Sequence, residues 1–200
     1  MKIDPTGMDT WELDDDGNQV CHDTDPSQDA VRIVDSNGNV KASTSFEYGT
    51  IKQTQSMVSG NSAYEINGND NSTNLFEFLA ENTQVEWANN QFYSDKSYLV
   101  TSHKDGFVID DVIDMYPLES IKSRTHNHFV NAYPTGLEKR NRDIGNAAIL
   151  EERNPNMKSY IYAPWIKDYN ERYIPYNSQS TFCDFKYHPA YKEPFCKKNN

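Results

Sequence analysis

From residue 72 onward, apolar positions recur at two different periods. In "STNLFEFLAEN", Leu75, Phe76, Phe78 and Leu79 fall at helical spacing behind a polar start, with Ser72 or Thr73 as candidate caps, so a helix of about three turns is predicted. The spacing then changes. "TQVEWANNQFY" and "KSYLVTSH" are rich in β-branched and aromatic residues and are separated by polar turn residues, the pattern of neighbouring antiparallel strands, with Glu86 inside the first. "FVIDDVIDMYPLES" fits either a strand with a loop or a short helix, with Pro117 as its breaker. "IKSRTHNHFV" reads as a strand whose C-terminal end carries His126 and His128. "RDIGNAAILEERN" predicts a helix with Asp143 near its start and Ile144, Ala147, Ala148, Ile149 and Leu150 on its apolar side. "KSYIYAPW" and "ERYIPYN" look like a final hairpin, and the Pro-containing tail is irregular.

The first 60 residues carry a thinner pattern. Short apolar stretches such as "AVRIV" lie between the turn signals "DDDGNQ" and "DSNGNV", and burial looks too sparse to offset the entropy of ordering the chain. Residues 1–60 are therefore expected to be a polar linker with one or two short hairpins, and residues 61–200 the functional domain. No internal repeat is evident.

Composition narrows the function. The 200 residues suffice for one domain with extensions, and 36% hydrophobic and 12% aromatic residues, with 13 Tyr, point to a compact aromatic core confined to part of the chain. A net charge of -11 opposes binding to phosphate backbones, so nucleic acid is not the expected partner. No apolar run approaches the roughly 20 residues of a membrane span, and the N-terminus lacks the apolar stretch of a signal peptide, so neither a membrane nor self-directed export is expected. Three cysteines, Cys21, Cys183 and Cys196, make no even disulfide framework; Cys183 and Cys196 can pair, but reduced thiols are the expectation.

The candidate chemistry centres on "RTHNHFVNAYPTG". Strand side chains alternate between faces, so His126 and His128 point the same way, as two ligands of one ion must. Zinc at a hydrolytic site takes three protein ligands and leaves a position open. Asp143, opening the next helix, is the natural third ligand. A nearby unliganded carboxylate, Glu86, would be the general base and acid. The Thr135 hydroxyl would donate to a tetrahedral oxyanion. The bland alternatives are a polar strand end, a solvent-facing glutamate, a turn threonine and a helix-start carboxylate. The letters "HNH" carry no nuclease signal, because that motif spreads its residues over a ββα unit. Cys183, His188 and Cys196 match no strong zinc signature, and His103 reads as a loop residue.

In this order, Glu86, His126-Asn127-His128, Thr135 and Asp143 resemble the JAMM (JAB/MPN-type) metalloprotease pattern E…H-x-H-x7-S-x2-D. The chain departs from it in four places. Six residues instead of seven precede Thr135, Thr replaces Ser, Phe129 replaces the usual Pro, and the acid at strict spacing would be Glu138, against which Asp143 is favoured. Residues 72–178 are most similar to JAB-like toxin domains at the C-termini of bacterial Rhs proteins, and "IDPTGMDTWELDDDGNQV" resembles the segment joining an Rhs core to its toxin. The resemblance implies an α/β fold, a JAMM/deaminase-like α-β-α sandwich with a mixed sheet, preceded by an irregular N-terminal extension. It also implies Zn2+ and a peptidase or isopeptidase acting as an antibacterial effector on a protein or peptide substrate. Such an effector is secreted within a larger Rhs carrier, acts in the cytoplasm of a target cell and is countered by a cognate immunity protein. The competing expectation is a JAMM-like domain without turnover that works by protein binding.

Overall fold

Alternation along the strands and a 3.6-residue stripe on the helices build a mixed α/β structure with helices on both faces of one large sheet. The structure, a computed structural model, describes residues 10–23, 28–137 and 142–188. The large sheet has seven strands: β5 (Ile51–Thr54), β6 (Ser62–Asn67), β7 (Trp87–Phe92), β8 (Lys96–Thr101), β9 (Ile121–Asn127), β10 (Lys158–Tyr162) and β11 (Tyr173–Tyr176). Their spatial order is β11-β10-β9-β7-β8-β6-β5, with β9 and β10 parallel and the other pairs antiparallel. The expected pairings of the 83–93 and 96–103 segments and of the final hairpin are both present.

One face is covered by α1 (Asn69–Asn82). Its Leu75, Phe76, Leu79 and Ala80 pack on Tyr64, Ile66, Trp87, Leu99 and Tyr162 of the sheet. The other face carries the short α2 (Val112–Met115) and α3 (Arg142–Arg153). There Leu150 and Val112 join Ala88, Phe92, Tyr98, Val100 and Ile121. Trp87 and Ala88 thus serve opposite layers, as adjacent strand residues must. On α3 the apolar stripe is Ile144, Ala147 and Leu150, while Ile149 is exposed. The helix at 69–82 starts three residues before the expected Ser72, after Gly68. Ser72 is instead buried, and its hydroxyl donates to Asn89 Oδ1 (2.6 Å) on β7.

The N-terminal region differs most from expectation. β1 (Thr10–Leu13), β2 (Gln19–Asp23), β3 (Asp29–Val34) and β4 (Val40–Phe46) form a second sheet, order β2-β1-β3-β4, in which β1 and β3 run parallel. Trp11, Leu13, Val31 and Ile33 are buried in the same cluster as Trp87 and α1, and β5 pairs with β6 across the expected boundary at residue 60. Residues 10–54 are therefore more than the polar linker expected from composition. A few large side chains, Trp11 above all, bury enough apolar surface to hold these strands on the core. Both turn signals close hairpins in the same way: Asp14 Oδ1 accepts from the N–H groups of Asp16 and Asn18, and Asp35 Oδ1 from those of Asn37 and Asn39. Asp15 and Asp16 carbonyls accept from Gln84 N and a ring nitrogen of His103, and Gly17, at φ 71, sits so close to Trp87 that a Cβ would meet its ring at 3.0 Å. This hairpin braces the turn that presents Glu86.

Among the described residues no helix is long and apolar enough to cross a membrane. Cys21 is a free, exposed thiol, whereas Cys183 is disulfide-bonded, which corrects the expectation of reduced thiols and removes it as a candidate metal ligand. Cys196 and Glu138 lie outside the described residues.

Candidate metal centre

β9 supplies the first ligand candidate, and the turn that follows it the second. His126 lies opposite Ala88 on the α3 side of the sheet. His128 comes one residue after the strand ends, and its N–H still donates to Tyr162 O of β10 (2.8 Å), so the alternation carries on through it. Their Nε2 atoms are 3.0 Å apart. Asp143, in the first turn of α3, places Oδ1 3.5 Å from His126 Nε2 and Oδ2 3.7 Å from His128 Nε2. One ligand atom from each of the three residues lies within 4.8 Å of the others. Two ligands about 2.05 Å from a tetrahedral zinc ion stand roughly 3.3 Å apart; the Nε2–Nε2 separation lies just below that value, and each imidazole has a different Asp143 oxygen just above it. The donor set, two imidazole nitrogens and a carboxylate oxygen, is also one that zinc accepts. The residues fit a divalent cation.

The surrounding contacts orient these groups. His128 Nδ1 is 2.6 Å from Asn131 Oδ1, so it carries the proton and leaves the Nε2 lone pair facing the cluster. Thr135 donates both its N–H (2.7 Å) and its hydroxyl (2.8 Å) to Asp143 Oδ2, and its carbonyl accepts from Ile144 N (3.3 Å). The hydroxyl expected to face an oxyanion is thus engaged with the carboxylate ligand candidate, which it holds in place at the helix start. Nothing in the sequence marked Asn131, which lies in an irregular loop.

Electrostatics separate the members. Burial acts upward on Asp143, but the charge and hydrogen bond of His126 and the N–H of Thr135 hold its carboxyl well below the usual range. Burial pulls His126 down, and the carboxylates of Asp143 and Glu86 outweigh it, leaving the imidazole raised. His128 is pushed down to about 4 by burial and by the charge of His126. The cluster thus favours the neutral form of His128 and shifts His126 towards its protonated form, with an ionised carboxylate facing both.

Glu86 stands immediately before β7, slightly outside the strand interior where it was expected. Its N–H donates to Lys104 O (2.9 Å) and its carbonyl accepts from Thr101 Oγ1 (2.8 Å), which fixes the backbone. The side chain is buried and lines a cavity of about 690 Å³ together with His126, His128 and Asp143. Burial raises its pKa to about 7, against the opposing charge of His126 and with help from Asp143 and Asp105. A carboxyl that exchanges a proton near neutrality is suited to general acid–base work. The same cavity is lined by Arg124, which alternation places on the His126 face. Arg124 bonds to Asp110 (2.8 Å) and Asn90 (3.1 Å). His103 does not line this cavity: its other ring nitrogen bonds Ser62 Oγ (3.0 Å).

No curated protein and no solved structure gives a significant match to the chain. Residues 64–148, from β6 into α3 and including Glu86, both histidines, Thr135 and Asp143, match the family described as JAB-like toxin 1, which supports a JAB-like toxin domain over this stretch.

Proposed function

We propose that this chain is a metal-dependent peptidase or isopeptidase that acts as an effector toxin, with zinc as its ion. The observation that carries this reading is the convergence of His126, His128 and Asp143 in one cavity with a buried, near-neutral carboxyl, Glu86, inside the segment similar to JAB-like toxins. A cation held by the three ligands would supply Lewis-acid polarisation of a carbonyl and acidify water. Glu86 accepts a proton from the attacking water and returns it to the leaving amine, moving between two states that its raised pKa keeps close in energy. Thr135 holds Asp143 in position, and Asn131 fixes the tautomer of His128. Arg124 and Asp110 rigidify the cavity wall beside His126. In the producing cell the domain would travel within an Rhs-type carrier and be neutralised by a cognate immunity protein; in the recipient cytoplasm it would meet its protein or peptide substrate.

The test is Glu86→Gln. Expression of the wild-type chain in bacterial cytoplasm is expected to arrest growth, and Glu86→Gln to abolish the arrest while binding the same amount of zinc. Toxicity that survives the substitution would replace catalysis with the alternative reading, a JAMM-like domain acting by protein binding.

A further inference from the structure

The exposed edge of the cavity is mixed: Asp105, Arg142 and Asn146 stand there beside two apolar residues, and Lys104 Nζ lies 4.9 Å from the ring centre of one of them, Phe107. Phe107, on the loop after β8, and Val130, on the loop after β9, both line the cavity, yet they are 45% and 87% exposed. Single exposed apolar residues are ordinary on a surface. Here two of them, from separate loops, border the cavity that holds the candidate metal ligands, and Val108 and Phe129 line it beside them. The first loop is fastened behind its tip. Ile109 N donates to Ser102 Oγ (2.8 Å) and its carbonyl accepts from Asn61 Nδ2 (2.8 Å). Asp110 is ion-paired to Arg124, and Asp111 accepts from Ser56 Oγ (2.7 Å) and Tyr98 OH (2.8 Å). The second loop is held by His128, Asn131 and Thr135 around the cluster itself. Phe107 and Val130 are thus presented to the cavity by anchored segments, which lowers the ordering cost of binding there.

We propose that Phe107 and Val130 form an apolar subsite that takes the substrate side chain adjacent to the scissile bond, so the enzyme selects polypeptide sites flanked by a large aliphatic or aromatic residue. This rests on the metallopeptidase reading. Both residues are exposed, so serine at either position leaves the core intact.

The test is calorimetric titration of the zinc-loaded full chain with N-acetylglycine hydroxamic acid and N-acetylleucine hydroxamic acid, with zinc content measured on the same samples. One buried aliphatic side chain discriminates by about tenfold or more, so the leucine compound is expected to bind at least about tenfold tighter than the glycine compound. In Phe107→Ser/Val130→Ser the two should bind within about twofold of each other, with zinc content unchanged. Zinc-loaded protein that binds both compounds equally, or a leucine preference that survives the double substitution, overturns the subsite and leaves the metal reading standing. A chain that takes up no zinc overturns the metallopeptidase reading, and the subsite with it.

Discussion

Replacing Glu86 with glutamine in chelator-treated protein removes a carboxyl that folding pushes from its ordinary value of 4.5 to about 7. The folded state then binds this proton more tightly than the unfolded chain. The stability contributed is present in full below 4.5, declines as pH rises through 7, and is gone above it. A shift of this size corresponds to about 3 kcal/mol, since each unit is worth about 1.4 kcal/mol. At 5% exposure, solvent screens little of it. Urea unfolding from pH 4 to 9 should therefore show wild type losing about 3 kcal/mol relative to Glu86→Gln, nearly all of it between pH 4.5 and 7, with parallel curves above 7.5. Any constant offset from the amide's own hydrogen bonding cancels, because only the pH-dependent difference is read. Curves that stay parallel throughout would show that the Glu86 carboxyl is not held protonated by burial, and would remove it as a proton carrier near neutrality.

Trp11→Ala is expected to destabilise the whole chain by about 3–5 kcal/mol in one cooperative transition, because Trp11 is fully buried against the α1 cluster; an unchanged denaturation midpoint would detach the N-terminal sheet from the core. Asp110→Ala leaves the Arg124 guanidinium without its ion-pair partner and should cost about 3 kcal/mol by urea titration, whereas a loss under 0.5 kcal/mol would mean that the pair is in effect solvated. Asn131→Ala should weaken zinc affinity by about tenfold to a hundredfold in a competitive chelator titration, with no change if its contact with His128 is incidental.

The central and C-terminal elements were legible because periodicity there is strong: α1, the β7–β8 pair, β9, α3 and the last hairpin all carry clear apolar stripes. That His126 and His128 point the same way follows from strand alternation; Asp143 stands out in the sequence only as a carboxylate opening the next helix, and its approach to them depends on α3 packing back across the sheet. The N-terminal sheet was not legible, because its contribution to the core comes from a few residues, Trp11, Leu13, Val31 and Ile33, scattered among turn-forming ones. Average polarity hid them. The start of α1 was missed because Asn69 and Asp70 read as loop, while Gly68, at φ 87, lets the chain turn into the helix three residues early. Thr135 showed the right residue type but not its partner: only the fold brings its hydroxyl to Asp143. Asn131 and Asp110 reach the site from loops, where no period betrays a contact.

The most direct test of the central claim is the zinc content of the purified full chain, measured by elemental analysis after zinc is supplied and excess removed, beside His126→Ala. The geometry of His126, His128 and Asp143 predicts about one zinc per wild-type chain, as three convergent ligands allow, and its loss in the variant with folding retained. A folded wild type without zinc, or a variant that keeps it, would contradict the assignment of these three residues as a metal centre.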